Sequence, residues 1–173
     1  GSSFAEAMLS GYAAVLCSPS YLYLRETPGA LEDHALATRL SFFLWNSPPD
    51  AELRALADAK KLRDPAVLRA QTDRLLADAR SQRFVESFTD YWLELRKAGA
   101  NDPDSLLYPD YYLDDHLLDS ARDESHATFA ELLRANLPAR AVVESDFVFV
   151  NERLASLYQL PPVEGVKLRK VAL

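Results

Sequence analysis

The sequence has little of several residue types that mark common functions. A single cysteine, Cys17, is present among 173 residues, so neither an internal disulfide nor a C-x-x-C-H haem attachment can form. With only 5 glycines, the chain has no glycine-rich phosphate loop, and it also lacks the G-x-S-x-G and H-E-x-x-H motifs. No apolar run approaches the ~20 residues that cross a bilayer. We therefore expect no membrane insertion, and we expect Cys17 to be a small buried side chain at a helix end.

Basic residues are outnumbered by acidic residues. The chain has 19 Lys and Arg against 26 Asp and Glu, which gives a formal net charge of -7 and a pI near 5.0. Binding to phosphate backbones or anionic lipids requires clustered positive charge, so we expect no nucleic-acid partner. With 49% hydrophobic and 26% charged residues, the composition is that of a globular domain. The oligomeric state is left open by these features.

The most apolar helix predicted from the sequence covers Asp33 to Trp45. Its apolar residues surround almost the whole helix, whereas a surface helix would show a single stripe, so we expect it to be buried at the centre of the domain. Asp33 is of the right type to cap its first turn, and Ser47-Pro48-Pro49 ends it.

Helical spacing and capping signals predict several further helices. They cover Phe4 to Leu16, Pro48 to about Lys60, Pro65 to about Asp78, Ser81 to Lys97, Pro109 to Asn136 and Glu152 to Gln159. Ser47, Asp64 and Asn151 are the predicted caps, and Gly99 is a predicted left-handed residue. The predicted fold class is all-α, with a compact orthogonal or bundle-like set of helices around the buried central helix.

Three segments do not fit a long helix. Tyr21 to Leu24 alternates as a strand would, but Pro19 before it favours a short helical turn. Phe147 to Val150 is a short β-branched and aromatic run that predicts an extended segment, and Val166 to Leu173 has strand-like character without an obvious partner. The predicted organisation is a cloning remnant at 1–3, a helical extension or the end of a preceding domain at 4–32, a main domain at 33–160, and a truncated tail at 161–173.

A stripe of apolar, mostly aromatic side chains runs along the helix predicted at Ser81 to Lys97. Its members are Phe84, Phe88, Tyr91, Trp92 and Leu95. Such a stripe could stack on a flat cofactor or a sugar ring, but helical aromatic spacing is usually found in a core, and we favour the core interpretation.

One group of polar residues has the spacing of a metal site. His116, Asp119, Asp123 and His126 lie within an arc of about 80° on one helix, and an acid-x-x-His pair is typical of di-iron bundles. The apolar residues of the same helix point the opposite way, and the chain has no second acid-x-x-His. We therefore favour a solvated, metal-free face and predict no catalytic, cofactor or metal residues in the chain.

Arg39 is the one basic residue within the central apolar helix. A buried guanidinium needs a hydrogen-bonded partner of opposite charge. Glu124 lies where the acidic face of the long helix meets its apolar face. We predict a structural ion pair between Arg39 and Glu124 rather than a catalytic role for either.

Three segments carry a resemblance to a known family. The run from Leu36 to Leu95 includes Arg-Leu-Ser-Phe-Phe-Leu-Trp followed by Pro-Asp-Ala-Glu-Leu, and it resembles a helical domain of unknown function. That domain is found in large planctomycete-type cytochrome c proteins and in myxobacteria. The segment DFVFVNERLA at Asp146 to Ala155 also matches it, and Ser18 to Glu26 is similar to the end of the small helical domain that precedes it.

The resemblance implies a bacterial, extracytoplasmic protein with further domains beyond this chain. Haem would then be held by a separate domain, with no cofactor in this one, and the partners would be neighbouring domains of the same protein. The family supplies no reaction and no catalytic residues. Two hypotheses follow: a non-catalytic helical scaffold or interaction module, which we favour, and an incomplete domain of an extracytoplasmic enzyme, an oxidoreductase or hydrolase.

Overall fold

A computed structural model describes residues 3–23, 26, 28–100, 104, 106–108 and 115–173. Its helices in these ranges are α1 (Phe4–Leu16), α2 (Pro19–Leu22), α3 (Asp33–Trp45), α4 (Ala51–Asp58), α5 (Pro65–Ala77), α6 (Gln82–Trp92), α7 (Asp115–Arg134) and α8 (Glu152–Leu157). Short 3-10 turns lie at Ala79–Ser81, Leu95–Lys97 and Ala139–Val142, and two strands, β1 (Phe147–Val150) and β2 (Arg169–Ala172), form a small sheet. The predicted all-α fold is confirmed. The prediction that α3 is buried all round is corrected, because Phe42 and Phe43 are 41% and 61% exposed.

The contacts divide the chain into two units. Unit 1 comprises residues 1–42 and 47–71, and unit 2 comprises residues 43–46 and 72–173. Both α3 and α5 therefore contribute residues to each unit. The domain boundaries predicted at 32/33 and 160/161 stay predictions.

In unit 1 the start of α3 is fixed by a buried carboxylate. Asp33 is 4% exposed, and its Oδ1 accepts hydrogen bonds from the backbone N–H groups of Leu62, at 2.8 Å, and Arg63, at 3.4 Å. The Arg63 Nε donates to the other oxygen at 2.8 Å. The prediction that Asp33 caps its own helix is therefore corrected: its side chain holds the turn that follows α4, which the helix pattern alone does not reveal.

Two other predicted caps have different outcomes. Asp64 accepts from Ala66 N–H at 2.8 Å and caps α5 as predicted. Ser47 does not cap α4, because the helix begins at Ala51, three residues after the predicted start, and Asp50 accepts from Leu53 N–H at 2.9 Å. The two prolines after Ser47 delay the first helical residue, and the Ser47 hydroxyl oxygen is buried without a hydrogen-bond partner.

In unit 2 the long helix α7 lies between two sets of neighbours. One side packs against α6, and another packs against β1 and α8. Val150, Leu154 and Ala155 form a buried cluster with surrounding apolar residues that include Leu117 and Ala121 of α7. Asn151 caps α8 as predicted, because its Oδ1 accepts from Arg153 N–H and Leu154 N–H, each at 3.1 Å. The predicted start of α7 at Pro109 lies outside the described residues.

Helix α6 is shorter than the sequence predicts. It ends at Trp92 because Glu94 has a left-handed backbone conformation, with φ of 54°, and a 3-10 turn follows. Gly99 has the predicted left-handed conformation, with φ of 83°. A β-carbon at this position would also meet the Leu118 side chain at 2.9 Å. Glycine is therefore favoured here by backbone geometry, because a side chain at this φ is strained.

The strand-like tail has a partner that the sequence did not indicate. β2 pairs antiparallel with β1, with Phe147 opposite Ala172 and Val150 opposite Arg169. The Leu173 N–H extends the ladder by donating to the Asp146 carbonyl at 2.9 Å. Periodicity identifies the two extended segments, but 18 residues separate them and no tight turn marks a hairpin.

Helix α1 buries none of its side chains. Its start is fixed by a capping box in which Ser3 and Glu6 exchange hydrogen bonds of 2.7 and 3.3 Å. Cys17 at its end is exposed, so the prediction of a buried cysteine was wrong. None of the helices in the described part of the chain is long and apolar enough to cross a membrane.

Candidate functional site

A group of charged side chains in unit 2 surrounds Asp90 of α6. Two residues of α7 contact this carboxylate: the Arg122 Nη2 lies 2.5 Å from one oxygen, and the His126 Nε2 lies 2.9 Å from the other. Arg96, in the 3-10 turn after α6, approaches to 3.9 Å. The Asp90 side chain is 9% exposed and that of His126 is 11% exposed. We call these four residues the Asp90 cluster.

The electrostatics of the Asp90 cluster favour the ionised carboxylate. The hydrogen bond from Arg122 lowers the pKa of Asp90, burial opposes this effect, and the His126 contact adds to the lowering. The same hydrogen bond raises the pKa of Arg122. Both oxygens of Asp90 are occupied by these contacts. The cluster therefore ties α6 to α7 and holds the His126 ring in one orientation.

Beside the Asp90 cluster, α6 and α7 carry a connected group of aromatic rings. Phe84 lies 4.8 Å from Phe43, and Phe88 stacks on Phe129 with ring centroids 5.2 Å apart. Trp92 lies 5.7 Å from Phe88. We call these five residues the aromatic face.

The aromatic face is only partly buried. Phe43, Phe88 and Trp92 are 61%, 38% and 47% exposed, and the neighbouring Tyr91 is 83% exposed. The prediction that the stripe on α6 belongs to a core is therefore corrected, because only part of each ring is covered by its aromatic neighbours. Exposed aromatic groups of this kind are typical of contact surfaces.

A second set of polar contacts joins α7 to the sheet. Glu131 of α7 is 7% exposed and accepts from Arg134 Nε and from Lys170 Nζ of β2, both at 2.7 Å. The hydrogen bonds from Lys170 and Arg134 lower the pKa of Glu131, against the effect of burial. The Lys170 ammonium also lies 4.2 Å from the Phe147 ring centroid. These contacts anchor β2, and they explain why the tail is ordered.

The loop between β1 and α8 is held to α7 through amide and hydroxyl groups. Asn151 Nδ2 donates to the Ser120 hydroxyl at 2.7 Å and to the Val166 carbonyl at 3.1 Å. The Ser120 hydroxyl in turn donates to the His116 carbonyl at 2.6 Å. Asn151 thus serves both as the cap of α8 and as a link between segments, which accounts for its burial at 3% exposure.

The four polar residues of α7 that have the spacing of a metal site do not share one environment. His116, Asp119 and Asp123 are exposed, in agreement with the predicted solvated face. His126 is buried against Asp90, because it lies at the edge of the arc nearest α6. Within the described residues, no group of three or more His, Cys, Asp and Glu side chains could hold a metal ion.

The predicted Arg39 and Glu124 ion pair is replaced by two separate interactions. Arg39 Nε donates to Glu26 Oε1 at 2.7 Å and Nη2 contacts the other oxygen, so a bidentate pair forms within unit 1. The Arg39 side chain is 54% exposed, which contradicts the assumption of a buried guanidinium. The hydrogen bond from this guanidinium to Glu26 raises the pKa of Arg39.

Glu124 instead accepts a hydrogen bond from the Tyr158 hydroxyl at 2.7 Å. Burial raises the pKa of Glu124, and the Tyr158 hydrogen bond partly offsets this effect. Burial, reinforced by the neighbouring carboxylate, raises the pKa of Tyr158 to about 12. The predicted position of Glu124 at the boundary of the apolar face is sound, but its partner lies just after α8.

Sequence reasoning missed Asp90, although a signal was present. Asp90 interrupts the apolar and aromatic residues near the end of α6, and an acid in such a place requires a cationic partner. His126 and Arg122 are four residues apart and hence on one face of a helix. The choice of Asp90 as their partner depends on how α6 packs on α7, which the sequence pattern does not define.

The fold and these contacts define the class of protein: an all-α domain with a minor two-stranded sheet, whose buried charges connect its own elements. The family model described as PSD4, a protein of unknown function (DUF1592), matches residues 31–160, and the chain belongs to this family. No curated protein and no solved structure matches the chain significantly.

Proposed function

We propose that the chain is a non-catalytic helical scaffold and interaction module of a larger extracytoplasmic bacterial protein associated with cytochrome c. The observation that carries this proposal is the uncovered apolar face of α1. Its large side chains are exposed as follows: Phe4 83%, Met8 41%, Leu9 68%, Tyr12 61%, Val15 59% and Leu16 51%. At 100° per residue, all six lie within an arc of about 140°. A continuous apolar face of this kind marks a contact surface.

The composition of α1 indicates which kind of partner its apolar face contacts. Glu6 is the only charged residue on the helix, so electrostatic attraction contributes little to binding there. The opposite side of the helix carries small residues, including Ala7, Ser10 and Ala14. A helix with one broad apolar face and one small-residue face suits packing against other helices, as between neighbouring domains.

The buried acids support a structural role for the rest of the chain. Asp33, Asp90 and Glu131 are each bound by a cation from another part of the same unit. A carboxylate that is ionised and fully hydrogen-bonded at neutral pH is a poor general base, because its proton affinity is low. These groups are therefore used to hold the scaffold together.

The cellular context of the proposal comes from the resemblance to planctomycete-type proteins. In this context the partners are neighbouring domains of the same polypeptide, haem belongs to a separate domain, and the module is extracytoplasmic. The chain would hold these domains in a fixed arrangement, with α1 as one of its contact surfaces.

Hydrogen exchange tests the proposal directly. Backbone exchange is measured for the chain alone and for the longer polypeptide, with α8 as an internal reference. We expect α1 amides to exchange more slowly in the longer polypeptide, because a neighbouring domain covers the helix. The double variant Leu9→Gln and Tyr12→Gln should lose this protection, whereas the control Ala7→Gln and Ala14→Gln, on the opposite side of α1, should keep it. Equal exchange of α1 in the two proteins would refute the proposal.

A second candidate function, part of an extracytoplasmic enzyme completed by another segment, is favoured by the contact between Asp90 and His126. An acid that fixes the ring of a histidine is the arrangement that orients many general bases. In this case, His126→Gln would abolish an activity of the longer polypeptide while leaving the protection of α1 unchanged. The scaffold proposal predicts instead that the α1 variants change the protection of α1 and that His126→Gln has no functional effect.

A further inference from the structure

The outer edge of β2 carries backbone groups that pair with no other strand of the described residues. Because Leu173 N–H donates to Asp146 C=O, the pair Asp146 and Leu173 is a hydrogen-bonded pair of the ladder. Bonded and non-bonded pairs alternate in an antiparallel sheet. It follows from the register that Lys170 and Ala172 direct their N–H and C=O groups away from β1.

These outward backbone groups have no partner among the described residues. Lys170 and Ala172 are also exposed. An exposed edge with regularly spaced donors and acceptors is a template for a further strand. The edge is held firmly in place, because Lys170 binds Glu131 and Leu173 extends the pairing with β1.

The edge is positively charged in a chain of net charge -7. Lys167 and Arg169 lie two positions apart and are both exposed, whereas the Lys170 ammonium is paired with Glu131. Arg169 donates to the Glu164 carbonyl at 2.8 Å, and this acceptor is neutral. A strand lying along β2 would therefore be favoured if it carried carboxylates.

We propose that the outer edge of β2 binds an extended, acidic peptide segment of another protein by strand addition. Backbone hydrogen bonds to Lys170 and Ala172 would provide the pairing, and carboxylates opposite Lys167 and Arg169 would provide the selectivity. A second copy of this chain is disfavoured as the occupant, because pairing β2 with β2 would bring like charges together. The site is distant in sequence from α1, so its tests are independent of the test of the scaffold proposal.

The first test uses the amidated peptide Asp-Val-Glu-Val-Asp and measures binding to the chain by NMR shift changes. We expect saturable shifts at 169–172. Two N-methylated isomers, one methylated at the valines and one at the acids, separate strand pairing from simple charge attraction. Strand addition predicts that one isomer loses binding and the other keeps it, because only alternate residues face β2. Equal binding of both isomers, or no shifts at 169–172, would overturn the proposal.

The second test changes the chain. Ala172→Pro removes an outward N–H without removing a bond to β1, and we expect it to weaken peptide binding roughly fivefold. Ala172→Val, which retains the N–H, should bind like the unchanged chain, and both variants are first checked for an unchanged Tm. The pair Lys167→Gln and Arg169→Gln should lower affinity and flatten its salt dependence. Equal binding by the Pro and Val variants, or a β2-dependent dimer in sedimentation without peptide binding, would exclude the proposed occupant.

Discussion

The two tryptophans occupy the same place in their helices but different environments. Trp45 is the last residue of α3 and Trp92 is the last residue of α6. Trp45 is 0% exposed, its Nε1–H donates to the Leu75 carbonyl at 2.9 Å, and the Arg80 guanidinium lies 3.4 Å from its ring centroid. Trp92 is 47% exposed, and its ring centroid lies 5.7 Å from that of Phe88 and 6.3 Å from that of Phe129.

The difference shows that a helical stripe does not by itself decide burial. Trp45 is covered because its N–H reaches a carbonyl and a cation closes over its ring, so each part of the side chain has a partner. Near Trp92, the attachment of α6 to α7 is provided in large part by the Asp90 cluster. The ring is thereby left at the surface, where it can contact another molecule.

The largest effect should come from truncating the buried ring. Trp45→Ala should lower the free energy of unfolding by about 4 kcal/mol, the usual cost of an aromatic cavity. Trp92→Ala is the matched control and should cost about 1 kcal/mol, because half of that ring is already in water. Urea unfolding followed by circular dichroism measures both variants. Similar costs at the two positions would mean that the contrast between the rings does not extend to stability.

A smaller loss of stability should follow when the buried charge of Asp90, near Trp92, is removed without a change in side-chain size. Asp90→Asn should cost about 2–3 kcal/mol at neutral pH, because Arg122 and His126 lose their buried partner. The control Asp119→Asn changes an exposed acid on α7 and should stay within about 0.5 kcal/mol.

The effect of Asp90→Asn should also depend on pH in a defined direction. Because the hydrogen bond from Arg122 lowers the pKa of Asp90, this carboxylate stabilises the fold above the unfolded pKa of about 3.9. Its contribution is lost as the pH falls through the lower folded value. The stability difference between the unchanged chain and Asp90→Asn should therefore be constant near neutrality and shrink below about pH 4. A difference that grows on acidification would contradict this assignment.

The two histidines of α7 should differ in their contribution to stability, because one is buried and the other is exposed. His126→Ala should cost about 1–2 kcal/mol, because it removes a buried hydrogen bond to Asp90. His116→Ala should change stability by less than about 0.5 kcal/mol, as expected for an exposed side chain. Thermal unfolding of the two variants under identical conditions provides the comparison, and equal losses would argue against a structural role for His126.

The last prediction concerns the solvent accessibility of the two rings, and it is measured by fluorescence quenching. The chain has 2 tryptophans, so Trp92→Phe and Trp45→Phe each leave one fluorescent ring. Acrylamide should quench Trp92 several-fold more efficiently than Trp45, since only Trp92 is accessible from the solvent. Binding of a neighbouring domain at the aromatic face should then reduce quenching of Trp92 alone. Quenching of both rings to the same extent would show that Trp45 is accessible.

Much of the secondary structure can be predicted from local signals. The apolar run that ends at Trp45 and the cap-then-proline pair at Asp64 gave α3 and the start of α5 correctly, because helix limits depend on neighbouring residues. The position of Asn151 before α8 was predicted for the same reason. The limits that failed, at Ser47 and after Trp92, depend on consecutive prolines and on a left-handed non-glycine residue.

The polar contacts were less predictable because each one joins segments far apart in sequence. Asp90 and His126 are 36 positions apart, and Glu131 and Lys170 are 39 apart. Helical periodicity places a side chain on a face but does not say which helix that face meets. The prediction paired Arg39 with Glu124, and in the structure Arg39 binds Glu26 and Glu124 binds Tyr158. The Arg39 guanidinium and the Glu124 carboxylate are each hydrogen-bonded within their own unit.

The carboxylate of Asp33 joins the start of α3 to the turn after α4, so residues 33–63 form one structural part. One oxygen accepts two backbone amides and the other accepts the Arg63 side chain, so lengthening the side chain to glutamate would displace all three bonds together. A chimera that takes α3 from one relative and the segment around Leu62 from another would combine an acid and a turn that were not selected together. Recombination within this family is therefore best made outside 33–63, where the break leaves this part whole.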